Sequence, residues 1–232
     1  MKYEIINGKK ISTVFNDAGT KKLVVFCHGF RGSKLGPSRL FVDLAKKLEK
    51  ENICSLRFDQ YGSGDSAGEH VESLFNDWVK TTIKIIEIYI AKGYEVSIVG
   101  NSVGGSCVLA VASKMGNKIK SAVAWVPDPE IEMAEMKGEF CEENGHIVKW
   151  DFWKELYEAK ISELFAKIVC PTYVIFASED ARVSKENQDA LSEQSNDFKT
   201  VEIIEGLSHG PWTHKQGLEI LDKTSLFIKN NF

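Results

Sequence analysis

Two hydrophobic rhythms alternate along the chain. Short apolar runs are separated by stretches in which apolar residues recur every three or four positions. Tyr3 to Ile6 and Lys10 to Phe15 flank Asn7-Gly8, a pair suited to a type I′ turn, and predict an opening hairpin. Leu23 to Cys27 reads as a buried strand. Pro37 to Lys50 reads as a helix with Leu40, Phe41, Leu44, Ala45 and Leu48 on one face, and Pro37 suits its first turn. Ile53 to Phe58 is the next strand. From Val71, apolar residues recur through Phe75, Trp78, Val79, Thr82, Ile83, Ile86 and Ile90, which predicts one long amphipathic helix closed by Gly93. Strand Val96 to Val99, a small-residue helix Ser102 to Met115 and strand Ile119 to Val126 follow.

This alternation predicts an α/β fold, a mostly parallel sheet flanked by helices on both faces. The rhythm breaks from Pro127 to about Trp150, where Asp128, Glu130, Glu132, Glu135, Glu139, Glu142 and Glu143 meet few basic residues. It resumes with a helix near Phe152 to Ile168, strand Thr172 to Ala177, helix Ser184 to Gln194, strand Thr200 to Ile204 and helix His214 to Lys229. The expectation is a single domain over residues 1–232, with residues 127–160 inserted as a cap over one end of the sheet. Loops at the carboxyl ends of parallel strands are where such sheets bind ligands. Met133, Met136, Phe140, Trp150, Phe152 and Trp153 would give a lid an apolar underside; the alternative is a surface excursion whose aromatics pack on the core.

Composition narrows the possibilities. With 232 residues the chain is long enough to bury a full core without staples. A net charge of −4 argues against a nucleic-acid binder, which usually carries a basic face. No stretch of 18 apolar residues predicts a membrane span, and residues 1–10 lack the apolar core of a secretory signal. Five cysteines (Cys27, Cys54, Cys107, Cys141 and Cys170) show no C-x-x-C spacing, so neither a zinc ribbon nor a redox motif is readable. They are expected to be buried free thiols in a reducing compartment, the cytoplasm.

Gly100-Asn101-Ser102-Val103-Gly104 is a G-x-S-x-G string between a predicted strand and a predicted helix. A turn this tight strains its middle residue and lifts a serine hydroxyl above the sheet. The alternative is a glycine-flanked cap with Ser102 as an ordinary N-cap. A serine nucleophile needs a base. His209 follows the last strand, in the loop Glu205-Gly206-Leu207-Ser208-His209-Gly210-Pro211, and leaves the same end of the sheet as Ser102; His214 is the rival. His28 sits at an early strand end, and His70 and His146 lie in polar loops. Asp180, just past strand Thr172 to Ala177, is placed to orient the base. Glu179 is its neighbour and alternative, and Asp180 could instead cap a helix. Two N–H donors for a developing oxyanion are expected from Val103, after the serine, and from Phe30 in the loop His28-Gly29-Phe30-Arg31-Gly32.

Together these strings resemble the α/β-hydrolase superfamily, over nearly the whole chain. The resemblance rests on His28-Gly29-Phe30, on the run from Arg57 to Ser66, on the Ser102 turn and on the Asp180 and His209 loops. Within the superfamily the H-G-F opening and short cap resemble small bacterial carboxylesterases, including cinnamoyl/feruloyl esterases, and monoacylglycerol lipases. Asn101 stands where His is frequent in the turn, and Val103 where Gln or Met is frequent. The resemblance implies that Asp59, Gly62 and Gly64 are scaffold. It also implies a serine esterase with a small-molecule ester substrate of small or medium acyl group and no cofactor or metal. Thioester, amide, peptide and C–C substrates share the same chemistry, and a non-catalytic binder on the scaffold is the reading from another class.

Overall fold

The computed structural model describes residues 1–129, 138–143 and 145–232. Eight strands form one sheet in the order β1 (Lys2–Ile6), β2 (Lys9–Asn16), β4 (Cys54–Phe58), β3 (Lys22–Cys27), β5 (Glu95–Asn101), β6 (Ala122–Trp125), β9 (Thr172–Ala177) and β10 (Lys199–Ile204). The hairpin β1–β2 and the pair β2–β4 are antiparallel, and every other pairing in the sheet is parallel. The parallel strands are sandwiched by helices, which is why β3, β6 and β9 read as nearly continuous apolar runs rather than alternating ones.

Alternate side chains along β3 serve opposite faces. Leu23, Val25 and Cys27 join one core with Phe75, Trp78, Val108 and Phe152. Val24 and Phe26 join the other with Leu40, Phe41, Leu44, Ile220 and Ile228. The first core lies under α2 (Phe75–Ala91), α3 (Val103–Met115), α4 (Trp150–Glu158) and α5 (Ile161–Ala166). The second lies under α1 (Leu40–Lys50) and α7 (His214–Asn230). The eight-residue α6 (Lys185–Ser192) begins at Ser184, whose hydroxyl accepts the Asn187 N–H.

Several boundaries differ from the sequence reading. The apolar pattern from Val71 is not one helix: His70–Glu72 form a single 3-10 turn, and Ser73 and Leu74 are extended before α2 starts. Ser73 is committed elsewhere, donating to the Tyr61 carbonyl and accepting the Trp78 indole N–H at 2.6 Å. The predicted helix from Phe152 to Ile168 is two helices, broken at Lys160, which takes a left-handed conformation with φ of 48°. Pro127 to Trp150 contains a hairpin, β7 (Phe140–Glu143) with β8 (His146–Lys149), which alternation over four residues was too short to signal. Residues 130–137 of the acidic run, including Glu130, Glu132, Met133, Glu135 and Met136, lie outside the described residues. None of the five cysteines forms a disulfide; four are buried and Cys141 is half-buried.

The order of the sheet fixes which loops are neighbours. β3, β5, β6, β9 and β10 run parallel, and each is hydrogen-bonded to the one after it in that order, so the loops at their carboxyl ends emerge side by side at one edge. Helix α3 crosses β3 very closely: a Cβ on Gly104 would lie 2.3 Å from the His28 carbonyl oxygen and 2.4 Å from that of Cys27. Backbone of a central strand cannot step aside as a flexible side chain can. Gly104→Ala is therefore expected to cost at least the roughly 1–3 kcal/mol typical of overpacking. Urea unfolding measures this, and an unchanged midpoint would mean that the helix is not pressed on the strand.

Candidate active site

Ser102 links β5 to α3 with φ of 54° and ψ of −126°. A non-glycine residue there carries strain on the order of 1–3 kcal/mol, which only the surrounding structure can impose. The imposing parts are visible. Its N–H donates to the Trp125 carbonyl of β6 at 2.8 Å, and its own carbonyl accepts the Ser106 N–H at 3.0 Å, starting α3. Its side chain makes no capping bond to the helix. Instead Ser102 Oγ lies 3.0 Å from His209 Nε2.

His209 Nδ1 lies 2.8 Å from Asp180 Oδ2. An ionised carboxylate only accepts, so Nδ1 carries the proton and donates, which leaves Nε2 to accept the serine hydroxyl. The Asp180 side chain is fully buried. Its second oxygen accepts the amides of Arg182 at 2.8 Å and Val183 at 3.0 Å. Burial by itself pushes this carboxyl up, but the bond from His209 and the two amides outweigh it and hold Asp180 below the ordinary aspartate range. The two rivals lie elsewhere: Glu179 is exposed beside Asp180, and His214 is exposed as the first residue of α7. Asp180 does not cap α6, since Ser184 does.

Beside the serine is a cavity of about 690 Å³. Phe30, Val103, Asp128, Trp153 and His209 line it, as do Arg31 and Arg182. Val103 is the first residue of α3, so its N–H has no acceptor within the helix. The Phe30 loop lies directly on the serine: a Cβ on Gly29 would sit 3.3 Å from Ser102 Cβ and 3.1 Å from the Asn101 carbonyl oxygen, so any larger residue would require the two segments to part by a few tenths of an ångström.

The Phe30 ring is clasped by Trp153 at 4.6 Å, His70 at 4.9 Å and Phe152 at 5.0 Å between centroids. His70 and His146, read from the sequence as loop residues, pack edge to face at 5.8 Å, joining the β7–β8 hairpin to this cluster. Burial, with His146 and Arg31 nearby, keeps His70 below its ordinary value against the opposing Gly62 backbone contact. Arg31 and Arg182 escaped the sequence reading. Their only signal was adjacency, each lying within two residues of a predicted site residue.

No helix among the described residues is long and apolar enough to cross a membrane. No group of three or more His, Cys, Asp or Glu among them is arranged to hold a metal ion.

Solved structures with the same architecture are numerous. The chain superposes on Est1E from Butyrivibrio proteoclasticus, solved with ferulic acid bound, with a TM-score of 0.87 at 20% identity, covering 100% of this chain and 99% of that one. For the monoacylglycerol lipase of Paleococcus ferrophilus the TM-score is 0.81 at 17% identity, with 96% and 99% covered. For the alpha/beta hydrolase GrgF from Penicillium sp. sh18 it is 0.81 at 15% identity, with 99% and 97% covered. These likenesses show the fold, that of the α/β-hydrolases. No curated protein matches the chain. The family described as "Serine aminopeptidase, S33" matches residues 18–138, just over half of the chain, with β3, the Phe30 loop, β5 and the Ser102 turn inside the match. The chain belongs to that hydrolase family.

Proposed function

We propose that this hydrolase cleaves carboxylic esters of small or medium acyl group, with Ser102 as nucleophile, His209 as general base and acid, and Asp180 as orienter. One observation carries the reading: the unbroken series from Ser102 Oγ through the His209 ring to the buried Asp180 carboxylate, opening on a cavity. Such a series activates an otherwise weak nucleophile.

As the Ser102 oxygen attacks the ester carbonyl, its proton passes to His209 Nε2, and the imidazolium is stabilised by Asp180. The amides of Phe30 and Val103 receive the oxyanion. Collapse of the tetrahedral species breaks the bond to the alcohol, which leaves with the proton held on His209. Water then attacks the acyl-enzyme, giving its proton to His209, and the serine departs with that proton as the acid is released. The scheme calls for no metal or organic cofactor.

Residues 127–160 act as a cap in this reading. Trp153 lines the cavity and grips Phe30, which supports that role, whereas Val148, Phe152 and Leu156 are buried in the main core and anchor the segment. An ester is favoured over the peptide substrate that the family's description carries by the likeness of the whole chain to Est1E, solved with ferulic acid bound, and to a monoacylglycerol lipase.

Ser102→Ala should abolish turnover of p-nitrophenyl acetate while leaving the unfolding transition in place, and Asp180→Asn should lower kcat on the order of 10⁴-fold. Retained turnover in folded Ser102→Ala would sink the assignment. Trp153→Ala should raise KM for p-nitrophenyl butyrate and methyl ferulate with kcat little altered, measured across a panel from acetate to long chains. Unchanged KM throughout would remove the cap from the binding site.

The depressed Asp180 carboxyl also sets a sign for stability. A group lowered by folding contributes stability that is fully present above its unfolded value and is lost as pH falls through its folded value. Wild type should therefore lose stability on the acid side more steeply than Asp180→Asn. Parallel urea-unfolding curves against pH would contradict the carboxylate's role.

A further inference from the structure

His28 makes two hydrogen bonds, and together they define its ring. Gln60 N–H donates to Nε2 at 2.9 Å, which makes Nε2 an acceptor. The proton must then sit on Nδ1, 2.8 Å from the carbonyl oxygen of Gly29, to which it donates. That same oxygen also accepts the Gly32 N–H at 2.9 Å. The ring is 1% exposed and packs edge to face on Trp78 at 5.2 Å.

The Gly29 carbonyl and the Phe30 N–H belong to one peptide group. In a planar trans peptide they point in opposite directions, so whatever holds the carbonyl aims the N–H. Two donors on one face of the loop, from His28 and Gly32, therefore set where the Phe30 N–H points on the other. The far end of the loop is held as well. Asp59, the residue before Gln60, is fully buried and accepts the Lys34 backbone N–H at 2.6 Å, while its carboxylate pairs with the Lys34 ammonium. Gln60 is in turn tied to α2 through its side-chain amide, which donates to Thr82 Oγ1 at 3.3 Å. The pair Asp59-Gln60 at the end of β4 thus grips residues 28–34 at both ends.

We infer that His28, held in one tautomer by the Gln60 amide, is a positioning residue that aims the Phe30 N–H at the developing oxyanion through the shared Gly29–Phe30 peptide. A histidine meets the requirement because it accepts on one side of the ring and donates on the other while staying neutral. Burial favours that neutral form; the titratable groups facing it are Asp59, His70 and Lys34.

The kinetic part of this inference rests on the ester-hydrolase reading, so two measurements separate them. Nitrogen-15 NMR of histidine-labelled wild type reads the tautomer directly. His28 should show a protonated Nδ1 and an unprotonated Nε2 and keep that form through the pH range in which exposed histidines titrate. A protonated Nε2, or an ordinary titration, would overturn the inference whatever the protein hydrolyses. The second measurement is a pair of substitutions with p-nitrophenyl acetate as substrate. Asparagine places its amide N near Nδ1, so His28→Asn keeps the donor to Gly29. Glutamine places its carbonyl near Nε2, so His28→Gln keeps only the acceptor for Gln60. His28→Gln should lose about 10- to 100-fold in kcat, somewhat less than outright loss of one oxyanion donor, with KM little changed. His28→Asn should recover most of that loss. Equal losses in the two variants, or a loss confined to KM, would show that His28 only fills space. Those outcomes would leave the Ser102 assignment standing, whereas an inert wild type would defeat the ester reading and leave the NMR result to judge His28.

Discussion

The contact on which the site depends is the pressing of α3 onto β3. Because Gly104 has no side chain, the helix can begin within van der Waals reach of the Cys27 and His28 carbonyls. That closeness leaves no room for a relaxed connection after β5, so Ser102 is driven to a positive φ and its hydroxyl stands clear of the helix. The same contact brings the Phe30 loop, which continues directly from β3, down on the serine. Strain at one residue and proximity between two loops are consequences of a single packing event.

The electrostatic arrangement follows the sheet. β9 and β10 are neighbours in register, Ala177 against Ile204, so the loops carrying Asp180 and His209 start level with one another. Asp180 is committed on every side, two amides of its own loop on one oxygen and the imidazole on the other. A carboxylate held this way cannot swing toward solvent, and the ring it holds cannot turn over. Orientation of the imidazole thus comes from local backbone geometry and not from a salt bridge at the surface, where such pairs contribute little.

A second layer of control lies on the side of α4 and the β7–β8 hairpin. Phe30 is both the backbone partner of the serine in the proposed chemistry and the side chain gripped by Trp153, Phe152 and His70. Movement of α4 would therefore be felt at the loop that lies on Ser102, while the His28 and Asp59 contacts hold that loop from the opposite side. The loop is restrained between a rigid strand end and an aromatic cluster.

Much of this was legible in the chain itself. The alternation of apolar runs and three-to-four spacing specified an α/β sheet, because burial on both faces demands unbroken apolar strands such as Leu23 to Cys27 and Thr172 to Ala177. The residue types of the site, Ser102 between glycines and Asp180 and His209 each just past a strand, were readable because strand ends and turn glycines are local features. Local patterns could not give the break at Lys160, the later start of α2 or the four-residue hairpin, and the edge-to-face contact of His70 with His146 joins residues distant in sequence. The sequence placed His209 and Asp180 ahead of His214 and Glu179, but local patterns could not show the contacts between them. Those contacts depend on the lateral order of the parallel strands, which brings the three loops to one edge, and on the folded Asp180 loop, whose Arg182 and Val183 amides hold the carboxylate toward His209.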